Sequence, residues 1–379
     1  MPSKKKILLI GSLPPPVHGS NVYFNNLINS DIKNEFEIAH LDISDHRDLK
    51  NLSKLDLTNV TLALRNISDL RKKLMDFRPD LVYIPVASNF LPYLRDGLFM
   101  LVSDYFSDAR IILHSHEGDN FRKGFYERSP FFVRYFIEKS LGKADTIIVL
   151  GEKLRNVYSG LVKNTEVVPN GIQSEEINKD RTDMSESRTS ENVKIGFMGN
   201  LFESKGVLDV VNASIIVLKK HPDAKFIIAG ASPSDKDSAK EKADKIISEN
   251  NIEDSIIFPG VLTGKDKEEF FTEIDIFVFP SWYKFEGLPL VIPAAMSASL
   301  PVISVKETGV ISEIVTDNET GILISKKDPG KLAEAIIYLI ENPEIRIEMG
   351  RKGKEKFEDQ FTLKTNIDNI IRVFNKVLN

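Results

Sequence analysis

A chain of 379 residues with 42% apolar content exceeds what one hydrophobic core usually organises, so two domains are expected. It has no cysteine, which excludes disulfides, thiolate metal sites and a cysteine nucleophile, and a reducing compartment such as the cytoplasm fits. Residues 1–170 hold 23 Lys/Arg against 20 Asp/Glu and the remainder 27 against 35, a basic excess too small to indicate nucleic acid as a partner.

The basic opening Met1 to Lys6 runs into only four strongly apolar residues, Ile7–Ile10, too short for a signal-peptide core and readable as a first strand. No apolar stretch approaches the roughly 20 residues that span a bilayer. From there short β-branched runs alternate with segments of helical period, the pattern of parallel sheets covered by helices on both faces. In the first half the expected strands are Ile7–Ile10, Phe36–Leu41, Leu81–Pro85, Arg110–Leu113, Thr146–Val149 and Glu166–Val168. The second half gives Lys194–Phe197, Lys225–Ala229, Ser255–Phe258, Ile274–Val278, Pro301–Ser304 and Gly321–Ile324. Between the two sets Gln173 to Glu191 is polar and almost free of large apolar residues, so it cannot hold a packed core. The expected plan is an α/β chain with a Rossmann-like domain over 1–172, a linker over 173–192 and a second Rossmann-like domain over 193–360. Helices interrupted near Asn342-Pro343 and Phe361-Thr362 follow, with the last, 361–379, returning to the first domain. Open α/β sheets bind ligands beyond the carboxyl ends of their strands, so the loops there are expected to line a common cleft.

Four such loops carry candidate chemistry. Gly11 to Ser20 holds three prolines, and Gly19 lets a ligand approach the backbone near a helix beginning at Asn21; a rigid turn is the competing reading. It lacks the Gly-x-Gly-x-x-Gly spacing, which disfavours a dinucleotide site. His114 and His116 point the same way if their strand continues, which suits a metal pair, a hydrogen-bonding His at a cleft, or a solvated loop; no third metal ligand is evident. Asn200 to Val207 places Lys205 in what reads as the first turn of a helix, where it opposes the helix dipole and would suit a diphosphate, or else is simply exposed. The longest pattern runs from Phe279 to Met296 and on to Thr308-Gly309. There Glu286 can accept sugar hydroxyls, while the N–H groups of Gly287, Leu288, Pro289 and Leu290 face a phosphate or ring oxygen, and Thr308 and Gly309 supply a second set.

Together these blocks resemble the retaining glycosyltransferases of family 4, which have the two-domain GT-B fold. The resemblance extends over Val168 to Ile172, Pro280-Ser281 and Glu313 to Val315, and the Pro14 to Gly19 opening is similar to members that assemble bacterial capsules, O-antigens and other surface polysaccharides. It implies Gly19 and His116 beside the transferred sugar, Asn200 and Lys205 at the donor diphosphate, and Glu286 on donor-sugar hydroxyls. It further implies a nucleotide-sugar donor, hexosyl or N-acetylhexosaminyl transfer with retention, a saccharide acceptor carried on a lipid, and neither cofactor nor metal. Three residues depart from the family pattern. Ala294 stands where a second glutamate, eight positions after Glu286, binds the ribose; Asn200 stands where many members have Arg; Ser299 replaces a common glycine and looks minor. Ala294 keeps open a catalytically impaired sugar-nucleotide-binding protein, and the fold also hosts nucleotide-sugar epimerases. Finally, Arg122 to Lys143 interleaves six aromatic with six basic side chains. That suits either peripheral contact with the cytoplasmic face of the inner membrane or a helix with an aromatic core face.

Overall fold

The computed structural model describes residues 4–14, 19–44, 57–173, 192–232 and 239–379, without the side chains of residues 19–20 and 57–60. Residues 174–191 of the expected linker and Pro15 to His18 of the first loop lie outside the described residues. The chain divides into two compact units, Met1–Gly171 with Leu363–Asn379, and Ile172–Thr362.

In the first unit β1 (Lys6–Gly11), β2 (Glu37–Asp42), β3 (Leu81–Val86), β4 (Arg110–Ser115), β5 (Thr146–Val149) and β6 (Asn164–Val167) form a parallel sheet in the order β2-β1-β3-β4-β5-β6. The helices between them are α1 (Gly19–Asn29), α2 (Ile32–Glu35), α3 (Leu57–Phe77), α4 (Phe90–Phe106) and α5 (Phe131–Leu141). The central strands are buried on both faces, which is why β1 and β3 read as continuous apolar runs rather than alternating ones. The last helix of the chain, α13 (Leu363–Leu378), belongs to this unit. It buries Ile367, Ile370, Val373 and Phe374, one helical stripe, in the same core as Ile7, Leu9, Phe36 and Tyr83. Asn366 of α13 donates to the carbonyl of Pro169 at 2.7 Å, fastening the helix to the end of the unit's first segment.

The second unit repeats the plan with β7 (Lys194–Met198), β8 (Lys225–Ala229), β9 (Ile256–Gly260), β10 (Ile276–Phe279), β11 (Val302–Val305) and β12 (Gly321–Ile324), in the order β12-β11-β10-β7-β8-β9. Its helices are α6 (Val207–Lys220), α7 (Ala239–Asn250), α8 (Gly264–Glu273), α9 (Val291–Ser297), α10 (Ile311–Ile314), α11 (Pro329–Glu341) and α12 (Pro343–Gln360). Pro329 and Pro343 each open a helix, where a missing N–H costs nothing, and Asp328 caps α11 by accepting from the amide of Lys331 at 2.9 Å. All twelve expected strands form, three of them with the same bounds and the others with ends displaced by at most two residues. Glu166–Val168 is found as Asn164–Val167, and Ile274 and Ser255 lie just outside their strands, because ladder hydrogen bonds rather than β-propensity set strand ends.

Candidate functional site

In the second unit the chain passes from β7 to β8 and β9 on one side, then returns to β10, β11 and β12 on the other. The loops after β7 and β10 therefore diverge at the point where strand order reverses, the place an open α/β sheet offers a ligand. Lys205 and Glu286 meet there. The Nζ of Lys205 lies 2.5 Å from Oε2 of Glu286, and the hydroxyl of Ser281 donates to the same oxygen at 3.0 Å. The lysine ammonium also stands 4.7 Å from the ring centre of Tyr283 and 5.6 Å from that of Phe279. Both charged side chains are largely buried, at 15% and 10% exposure, so each is the other's main neutralising partner.

Lys205 is not in the first turn of a helix as expected: it ends a single 3₁₀ turn, Glu203–Lys205, and α6 begins only after Gly206. Gly206 explains the break. Its φ is +83°, and a Cβ there would lie 2.5 Å from the carbonyl oxygen of Pro280, so only glycine lets the loop after β7 touch the loop after β10.

The loop after β11 holds the acidic motif from the other side. Gly309 has φ +49°, and a Cβ there would lie 2.4 Å from the carbonyl oxygens of both Glu286 and Gly287. The amide of Val310 donates to Gly287 at 3.1 Å. Thr308, expected with Gly309 to supply a second set of N–H groups, is buried, and this loop also braces the motif backbone. The expected run of N–H groups also shortens, because Pro289 has none, leaving Gly287, Leu288 and Leu290 ahead of a helix of seven residues. Ala294 lies buried within α9, and Asn200 is exposed just beyond β7.

At the carboxyl ends of β7, β8 and β9 lies a cavity of about 360 Å³ lined by Leu201, of the same loop as Lys205, and by Ile228, Gly230, Ala231, Phe258 and Val261, among others. Lys240 stands at its edge, with Nζ 4.2 Å from the ring centre of Phe258. Sequence reasoning passed over this cavity and over Ser281, Tyr283 and Phe279 as partners of Lys205 and Glu286. The glycines that end β8 and β9 were the available signal.

In the first unit β4 continues through Ser115, so His114 and His116 do project together, their rings 4.0 Å apart. Tyr83 places its hydroxyl 2.6 Å from Nδ1 of His114, and the ring of Tyr23 packs against both imidazoles. Burial holds both rings neutral: it pushes His116 down to about 4, opposed by a hydrogen bond with Asn170, and His114 well below its ordinary value, helped by His116. Among the described residues no group of three or more His, Asp or Glu is placed to hold a metal ion. Next to His116, Glu117 accepts from the hydroxyl of Ser88, and burial raises its pKa. Gly19 opens α1. The Val168 to Ile172 stretch is fastened to α13 through Pro169.

Residues 178–356 match the family model for glycosyl transferases group 1. Over 363 residues the chain is 25% identical to the capsular polysaccharide biosynthesis glycosyltransferase CapM of Staphylococcus aureus, covering 90% of each chain. Its fold is similar to that of sucrose-phosphate synthase from Thermosynechococcus elongatus, with a TM-score of 0.74 at 15% identity over 99% of both chains. It is also similar to Anabaena HepE, solved with UDP and glucose, with a TM-score of 0.72 at 16% identity over 98% of this chain and 100% of that one. The fold is GT-B, with two Rossmann-like units, and the likenesses support a glycosyltransferase.

Proposed function

We propose that this chain is a retaining glycosyltransferase that moves a hexosyl or N-acetylhexosaminyl group from a nucleotide sugar to a lipid-linked saccharide in bacterial surface-polysaccharide synthesis, working at the cytoplasmic face of the membrane. The observation that carries this reading is the largely buried Lys205–Glu286 pair at the point where strand order reverses. A lysine paired with a carboxylate at that point is preset to exchange partners. An arriving diphosphate takes the ammonium of Lys205, which frees Glu286, still steadied by Ser281, to accept hydroxyls of the donor sugar. As the glycosidic bond breaks, charge grows on the diphosphate, and Lys205 with the amides of Gly287 and Leu288 lowers the energy of that state. Neutral His116 suits hydrogen bonding to a sugar hydroxyl, with Gly19 as a point of close backbone approach. The apolar cavity at the ends of β7, β8 and β9, with the flat ring of Phe258, suits the nucleobase, and the UDP held by HepE makes uracil the first base to try.

The test is a screen of nucleotide sugars, UDP-linked ones first, by thermal shift and slow hydrolysis, on the chain, on Lys205→Ala and on Ala294→Glu. One donor is expected to raise the melting temperature and to be hydrolysed slowly. Loss of a charged hydrogen bond is worth about 1.5–3 kcal/mol, so Lys205→Ala is expected to lower turnover roughly ten- to hundredfold or more. Near-normal turnover in that variant removes Lys205 from the mechanism. A gain of donor affinity in Ala294→Glu identifies Ala294 as a lost ribose contact, and an epimerised donor formed without acceptor replaces transfer by epimerisation.

A further inference from the structure

We propose that the N-terminal ends of α4 and α5 form a docking surface for an anionic lipid bilayer. The basic and aromatic stretch from Arg122 to Lys143 divides in the structure. Phe125 is buried, as is Phe121 just before the stretch, and Phe136 packs against Tyr93 of α4, while Phe131, Phe132 and Tyr135 are 77%, 69% and 53% exposed. An aromatic core face therefore accounts for only half of the aromatic side chains. The two helices run side by side in one direction, since Gly97 lies against Phe136 and Asp104 pairs with Lys143 farther along both. Their N-terminal turns lie at the same end, and there α4 adds exposed Phe90 and Leu94 to the three aromatic residues of α5. Five large apolar side chains exposed at one end of one unit, for which burial is normally favourable, mark a surface that another phase covers.

The charges say which phase. Arg122 to Lys143 carries six Lys/Arg against two Glu in a chain whose net charge is −5. Lys123, Arg128 and Lys139 are exposed, and among the described residues none has a carboxylate within 4.0 Å. Lys139, in the last turn of α5, reaches back to hold its ammonium 5.4 Å from the ring centre of Tyr135 one turn earlier, so cation and aromatic face solvent together. Aromatic rings flanked by basic heads match a boundary where acyl chains meet anionic headgroups. A twofold contact with a second copy would set this basic patch against itself and gain like-charge repulsion. Among the described residues no helix is long and apolar enough to cross a membrane, so contact is along the surface. Both helices start at the carboxyl edge of their sheet, the edge from which His116 follows β4. A lipid-linked acceptor would thus be delivered to the end of the unit that holds His116; that purpose rests on the proposed transfer, while the binding does not.

The experiment is flotation of the whole chain with vesicles of phosphatidylcholine alone and of phosphatidylcholine with phosphatidylglycerol, with no donor present. The chain is expected to float with the anionic vesicles and to remain behind with the neutral ones. Lys123→Gln/Arg128→Gln/Lys139→Gln should weaken anionic binding on the order of a hundredfold, about 1 kcal/mol for each basic residue. Phe131→Ser/Phe132→Ser should weaken it at least as much, with thermal unfolding unchanged because both side chains are already exposed. No flotation, equal binding to both vesicles, or a concentration-dependent dimer abolished by Phe131→Ser/Phe132→Ser overturns the proposal. A chain that floats but turns over no donor leaves this surface standing and removes the transferase reading; a working transferase that does not float does the reverse.

Discussion

Ser299 has φ +54°, the left-handed region that costs a residue with a side chain roughly 1–2 kcal/mol. The reason lies in how α9 ends. The amide of Ser299 donates to Met296 at 2.9 Å and that of Leu300 to Ala295 at 3.1 Å, the paired bonds of a Schellman cap, whose turning residue is usually glycine. The family resemblance places a glycine here, and what looked minor in the sequence is a strained position. Ser299→Gly is expected to stabilise the protein by about 0.5–1 kcal/mol, and β-branched Ser299→Val to destabilise it by about as much or more, read from chemical unfolding. His116 makes a second prediction. Its folded pKa is about 4 and an unfolded histidine titrates near 6.5, so between these values the unfolded chain takes a proton that the folded chain refuses. Its contribution is therefore fully present above about pH 6.5 and is lost as pH falls towards 4. Relative to the parent chain, His116→Gln should gain up to about 3 kcal/mol between pH 7 and pH 4, measured by urea unfolding across that range. Equal pH profiles for the two proteins would mean that His116 is already solvated.

At the scale of elements, the three loops of the second unit brace one another through backbone approaches that only glycine permits. Gly309→Ala would drive a methyl group into the carbonyls of Glu286 and Gly287 and displace the carboxylate from Lys205. Gly264 offers a control: its φ is also positive, at +51°, but a methyl group there meets nothing within 4 Å. Both substitutions should lose about 1–2 kcal/mol of stability to backbone strain. Only Gly309→Ala should abolish the donor-induced thermal shift and lower turnover at least about tenfold, the effect of some 1.4 kcal/mol. An equal loss in Gly264→Ala would assign the effect to stability alone. These contacts also mark where the sequence stopped being legible. The strands could be read because doubly covered sheets demand apolar β-branched runs such as Lys225–Ala229, a local signal. The fact that Lys205 binds Glu286, 81 positions away, follows from strand order, which no local pattern encodes. The helix misassigned to Lys205 has the same origin, since Gly206 answers to Pro280 and not to its own neighbours.

At the scale of the whole chain, the last helix, α13, closes the core of the first unit. A last helix over 361–379 returning to the first domain is expected from the sequence, and it does so, but the core residues that its stripe of Ile367, Ile370, Val373 and Phe374 meets could not be read, because such a stripe fits any apolar face equally well. The structure places it in the core of the first unit, where Phe374 meets the rings of Phe36 and Tyr83 at 5.9 Å each. Asn366 binds Pro169, and Lys376 pairs with Glu166 on β6 at 2.6 Å. The first unit is therefore built from two segments far apart in the sequence, and its core is complete only once α13 has been made. Four fully buried apolar side chains of this kind each contribute about 1.5–3 kcal/mol, so losing α13 removes on the order of 6–12 kcal/mol. That is comparable to the whole net stability of a typical domain, about 5–15 kcal/mol. A chain ending at Thr362 should accordingly lose hydrogen-exchange protection throughout β1 to β5, while β7 to β12, which draw no core residue from α13, keep theirs. Phe374→Ala in the intact chain should cost about 3–5 kcal/mol and lower the protection of the first unit selectively. Retention of protected β1 and β3 amides after truncation would show that the first segment folds without the helix, and α13 would then be a cover over a finished core rather than part of it.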